Sequence, residues 1–76
     1  MTLWEIRNKQ SVLIDSLDPN LMSAVFERLN EMGFVAGQSI LCLRRSLLKG
    51  PLLLQVGDCV YFLEQSTAKH INISVA

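Results

Sequence analysis

Arg28-Leu29-Asn30-Glu31-Met32-Gly33-Phe34-Val35-Ala36-Gly37-Gln38-Ser39-Ile40 joins the end of a helix to the start of a strand, and its reading decides the fold. Upstream, Met22, Val25, Phe26, Leu29 and Met32 recur at spacings of three and four, with Ser23, Glu27, Asn30 and Glu31 opposite, which is the pattern of a helix with one apolar stripe. Gly33 supplies a residue free to take the left-handed backbone that ends a helix. Phe34 after it can fold back on Leu29 in the hydrophobic contact of a Schellman ending. At the other end, Asp18-Pro19 is expected to open the helix, the carboxylate capping an orphan N–H and the proline needing no donor of its own. Val35-Ala36-Gly37-Gln38 makes a turn, and the apolar run from Ser39 to Leu43 is too short for a helix and reads as a strand.

Outward from this centre the remaining elements fall into place. Ser11 to Leu17 is short, partly β-branched and bounded by polar residues, as a first strand should be. Lys49-Gly50-Pro51 signals a loop, and the runs Leu52 to Val56 and Cys59 to Leu63 flank Gly57-Asp58 at the spacing of a two-residue hairpin. Gln65 to Lys69 suits one helical turn, and His70 to Val75 alternates polar and apolar residues like a half-buried strand. Too few residues remain for crossover helices, so the strands must pair mostly antiparallel. Closing them on themselves would hide their edges. The expected fold is mainly β (α+β): a small SH3-like five-stranded antiparallel barrel with one inserted amphipathic helix, a single domain over residues 1–76 without linker or repeat.

Seven basic residues balance seven acidic ones, so nothing in the net charge steers the chain toward nucleic acid. Half of the residues are apolar, a high share for a domain with so much surface per volume, which leaves material for an exposed docking patch. Lys49, Gln55 and Asp58 interrupt the most hydrophobic half well short of the roughly 18 apolar residues of a membrane span, so no direct membrane insertion is expected. The start, Met1-Thr2-Leu3-Trp4-Glu5-Ile6-Arg7, lacks the basic lead and apolar stretch of a secretion signal and points to the cytoplasm. Two cysteines, Cys42 and Cys59, are too few for a disulfide scaffold and read as buried thiols.

No catalytic constellation is visible. A serine, cysteine or lysine nucleophile needs a neighbouring base, and the single histidine, His70, has no carboxylate close in sequence and reads as a surface or barrel-rim residue. Cys42, Cys59 and His70 are scattered singly over three strands, unlike a structural metal site, so neither a metal nor a cofactor is expected, although contact with Fe(II) is compatible with the sequence. Glu27 and Glu31 lie one turn apart on what reads as a solvated face. The glycines precede a strand rather than a helix N-terminus, against nucleotide binding. Arg44, Arg45 and Lys49 form a small basic patch that reads as a solvated loop region. One feature suggests recognition: Leu21, Arg28 and Met32 share a flank of the helix beside its apolar stripe, where they are either the rim of the core or a docking edge.

The segment from Arg28 to Ile40, RLNEMGFVAGQSI, resembles the ferrous iron transport protein A family, FeoA, in its Arg-Leu helix end, Met-Gly turn and Ala-Gly before a strand. Leu48-Lys49-Gly50-Pro51-Leu52 is similar to the family's loop before the hairpin, and Thr67-Ala68-Lys69-His70-Ile71-Asn72-Ile73 to its closing element. The likeness runs over about residues 9–75. Lys9-Gln10 departs from it where the family often has glycine near the first strand, as does Phe62-Leu63-Glu64 where Leu-Arg is common. A similar barrel ends the iron-dependent repressors of the diphtheria toxin type. The resemblance implies a non-enzymatic cytoplasmic accessory, peripheral to the inner membrane through its partner. That partner is FeoB, the membrane ferrous iron transporter with a G-protein domain. Leu21, Arg28, Met32, Gly33 and Phe34 are the expected contact residues. The alternative is a metal-sensing module, with a nucleic-acid-binding barrel third; the sequence leaves the oligomeric state open.

Overall fold

The computed structural model describes residues 1–46 and 48–75, so the domain expected over 1–76 is covered except for positions 47 and 76. In β1 (Ser11–Leu17), Val12 and Ile14 turn inward between exposed neighbours. The strand pairs antiparallel with β2 (Ser39–Arg44) on one side and β5 (Ile71–Val75) on the other. β2 continues to β3 (Leu52–Val56) and β3 to β4 (Cys59–Leu63), giving one antiparallel sheet in the order β4-β3-β2-β1-β5. Register shifts between Ile14 and Ser16 and between Cys42 and Arg44 mark bulges, which increase local twist and bend the strands that carry them. Val12, Ile14, Ile40, Cys42, Leu52, Leu54, Ile71 and Ile73 converge on a core in which Phe34 is fully enclosed. This is the expected SH3-like barrel.

The barrel's ends are treated differently. No ladder joins β4 to β5 among the described residues, so the expected hiding of edges is only half achieved. Along β5 the N-terminal segment lies as a cover: Ile73 donates its N–H to the Met1 carbonyl at 2.9 Å, and Thr2 bridges Asn72. A 3-10 turn at Leu3–Glu5, absent from the sequence reading, buries Leu3 and is followed by buried Ile6. Arg45 fastens this segment to β2 by donating Nη1 to the Trp4 carbonyl and, at 3.0 Å, to that of Ile6, with its guanidinium 4.7 Å from the centre of the Trp4 ring. Of the predicted basic patch, Arg45 is therefore spent on structure.

Helix α1 (Ser23–Met32) starts later than Asp18-Pro19 suggested, with Met22 at its N-cap position and no side-chain cap. The reason is that Asp18 is still tied to the sheet, donating its N–H to the His70 carbonyl at 2.8 Å, while its Oδ1 accepts the Asn20 N–H at 2.9 Å. The C-terminus is as read. Gly33 has φ 97°, and Phe34 donates to the Leu29 carbonyl at 2.9 Å, the long bond of a Schellman ending. A Cβ on Gly33 would stand 3.1 Å from Val56 Cγ1, so packing adds to the conformational demand. Leu29 alone of the helix is fully buried, with Val25 and Met32 partly so, and Phe26 and Met22 are exposed. Burying one leucine contributes about 2 kcal/mol, so α1 is a lightly held element.

α2 (Gln65–Ala68) is the expected single turn, and the β3–β4 turn is the expected hairpin. Gly57 has φ 60° while Asp58 is not in the left-handed region, as in a type II′ turn. Lys9 has φ 64°, so the position near the first strand where the FeoA family often has glycine does require left-handed backbone. A lysine holds that conformation here, with its N–H donated to the Cys42 carbonyl at 2.7 Å.

Candidate functional site

A surface depression of about 460 Å³ lies between α1 and the end of β4. Val25, Arg28, Leu29 and Met32 line it from the helix, and Phe62, Leu63, Glu64 and Thr67 from the strand and the turn after it. Helical spacing places Val25, Arg28, Leu29 and Met32 on one side of α1. Phe62 reaches the groove because β4 is the last strand of the sheet and its outer face carries no covering layer; it is 72% exposed. Arg28 and Glu64 put opposite charges on the same groove with no ion pair within 4 Å among the described residues.

Of the five residues expected to meet a partner, Arg28 and Met32 share this groove. Leu21 does not line it and packs half-buried against the core. Gly33 is half-buried at the helix cap. Phe34 is a correction: with no exposed surface it cannot be a contact residue, and it is instead the core side chain on which the helix end and Tyr61 rest, its ring 6.0 Å from that of Tyr61. The sequence reading passed over Val60 and Phe62. Their signal was the lack of alternation in Cys59-Val60-Tyr61-Phe62-Leu63: a strand apolar at every position needs cover on both faces, and an end strand lacks it.

His70 lies part-exposed immediately before β5, as a rim residue would. A carboxylate does orient it, from 52 residues away: His70 Nδ1 and Asp18 Oδ2 are 2.8 Å apart, both side chains being about a third exposed. The Asn20 N–H, and after it the His70 ring, hold the Asp18 carboxyl below the usual carboxylate range. With Nδ1 committed, Nε2 is the nitrogen left for a ligand. Among the described residues no three His, Cys, Asp or Glu side chains cluster as metal ligands.

The cysteines divide. Cys42 is buried, and burial pushes its thiol up from the usual range; Cys59, expected to be buried, is exposed because its strand is at the edge. The Cys59 side chain beside Tyr61 raises that phenol in turn. Glu27 and Glu31 lie on the exposed side of α1 as read.

Five antiparallel strands curled around Phe34, one lightly held helix and an amphipathic groove beside an uncovered end strand define a small SH3-like barrel module. No helix among the described residues is long and apolar enough to cross a membrane. The chain belongs to the FeoA family, linked to ferrous iron transport: the FeoA domain model matches residues 1–75. It is 33% identical to Stenotrophomonas maltophilia FeoA complexed with zinc, described as a prokaryotic SH3 domain protein and candidate ferrous iron transport activating factor. The match covers 97% of this chain and 89% of that one, with a TM-score of 0.85. Iron(II) transport protein A from Clostridium thermocellum is 25% identical with a TM-score of 0.91, and all of this chain matches 46% of that one. A manganese-dependent transcriptional repressor in complex with manganese shares the fold alone, at 13% identity and a TM-score of 0.88 over all of this chain and 36% of its own. No curated protein sequence matches.

Proposed function

We propose that this chain is a non-enzymatic, cytoplasmic accessory of bacterial ferrous iron uptake that docks on the cytoplasmic part of the membrane transporter FeoB and biases its nucleotide or transport state. The observation that carries this reading is the groove, where a FeoA-family chain offers exposed Phe62 and the half-buried Val25 and Met32 with one charge of each sign around them. Arg28 and Met32 make the contact, Leu21 and Gly33 flank it, and Phe34 supports it from below. Such a surface recognises a protein better than it recognises a phosphate, because its two charges balance and apolar side chains lie between them. The chain acts as one domain, meets no nucleic acid and reaches the inner membrane only through its partner. The test is capture of the chain by the transporter's soluble G-protein and cytoplasmic regions. Arg28→Glu combined with Met32→Asp should abolish capture while leaving the fold intact, and undiminished capture removes this surface.

A second reading is favoured by the His70–Asp18 pair together with the zinc complex of the Stenotrophomonas relative. A histidine oriented through one nitrogen by a carboxylate is the usual arrangement of a metal-ligating imidazole. Anaerobic titration decides it. One-to-one Fe(II) binding lost in His70→Ala supports direct metal contact, and no saturable binding leaves docking as the sole reading.

A further inference from the structure

We propose that the free edge of β4 is a strand-addition site for an extended segment of another protein with apolar residues at its centre and a basic residue at each end. The two-residue turn makes Val56 and Cys59 a hydrogen-bonded pair, since the turn's first carbonyl accepts from its last N–H. Antiparallel pairs alternate, so Leu54–Tyr61 and Leu52–Leu63 are bonded likewise. The N–H and C=O groups of Val60 and Phe62 therefore point away from β3. Among the described residues no backbone bond from any loop, turn or terminus reaches them. Their side chains share one face and are 53% and 72% exposed.

Sheet edges are normally guarded by lysine, proline, a bulge or a covering segment, and β4 has none of these: its pairing with β3 is regular over all five residues. What it has is an acidic residue beyond each end, Asp58 in the turn and Glu64 after the strand, both exposed. This pattern selects the occupant. In a second copy of this chain centred on Tyr61, Val60 would face Phe62 of the other copy, but each Asp58 would face a Glu64, and in the registers centred on Val60 or Phe62 the other apolar residue would face Asp58 or Glu64 instead. A foreign strand with basic ends replaces both repulsions by attractions and covers the same apolar pair. The proposal rests on hairpin geometry, independent of whether the partner is the transporter.

The probe is a blocked heptapeptide, lysine-threonine-valine-threonine-valine-threonine-lysine, titrated into the full chain and followed by amide NMR. The lysine peptide should shift and protect the Val60 and Phe62 amides, and should bind roughly tenfold more tightly than the same peptide with glutamate ends, a preference that salt removes. Val60→Lys, at an exposed position, should abolish the response with the rest of the spectrum unchanged. Three outcomes overturn the proposal: equal response to both peptides, shifts confined to α1 or the loops, or concentration-dependent self-association of the free chain through β4. If the groove variant of the preceding section fails to block transporter capture while this titration succeeds, the docking surface is wrong and the edge site stands.

Discussion

The two ends of the sheet have the same chemistry to solve and solve it in opposite ways. Beyond β5, the N-terminal segment fills the edge, burying Leu3 and Ile6 and accepting the Ile73 N–H, with Arg45 clamping it in place. Among the described residues no strand or terminal segment pairs with the outer edge of β4, although Val60 and Phe62 are as apolar as the residues covered at the other end. A barrel of this size has little stability to spare, so an edge left open beside a groove is a place where binding energy can be gained on contact. The closed end holds its covering segment by buried side chains and long-range bonds, and the open end is where recognition is proposed.

The largest effect expected is from opening the closed edge. Leu3→Ala empties a fully buried position and should lower unfolding stability by about 2–5 kcal/mol in denaturant melts, together with loss of protection at Ile73. Next, Arg45→Ala removes a charged donor from the Trp4 and Ile6 carbonyls and should lower stability by about 1–3 kcal/mol. If it melts like the parent, the clamp is not what holds the segment.

Acid should loosen the same end. The Thr2 N–H, accepted by Glu5 Oε1 at 2.8 Å, holds the Glu5 carboxyl below its usual range, as the Asn20 N–H and the His70 ring do for Asp18. A carboxyl with a depressed folded pKa contributes stability that is whole above its unfolded value and is lost as pH falls through the folded one. Stability should therefore begin to decline at about pH 5 and fall further through about pH 4, where unperturbed carboxyls are about half protonated. Asp18→Asn should flatten that decline, and an equally steep profile in Asp18→Asn and Glu5→Gln would assign it to other groups. The smallest effect belongs to the open edge: Val60→Lys should alter stability by no more than about 0.5 kcal/mol, since the side chain has little packing to lose.

This contrast also separates what was legible in the sequence from what was not. Gly33-Phe34 and Gly57-Asp58 are local devices whose conformations follow from residue type, and around them the strands β1, β3 and β4 were read to their ends. The closed edge was invisible because it is made by partners far apart in the chain, Arg45 with Trp4, Ile73 with Met1 and His70 with Asp18. The helix start was misplaced for the same reason, since a backbone bond to His70 holds Asp18 in the sheet. Arg28 and Met32 could be placed on one flank by helical spacing. Phe62 could not be placed opposite them, because an apolar strand reads alike at the centre and the edge of a sheet until its neighbours are known.

Hydrogen exchange of single amides in the free chain tests the open edge most directly. Cys59, Tyr61 and Leu63 should exchange slowly, as should Ile73 at the covered end, while Val60 and Phe62 between them exchange at rates close to those of an unstructured chain. Uniformly slow exchange along β4 would mean that its outer groups are already bonded, and that no free edge exists for a partner to meet.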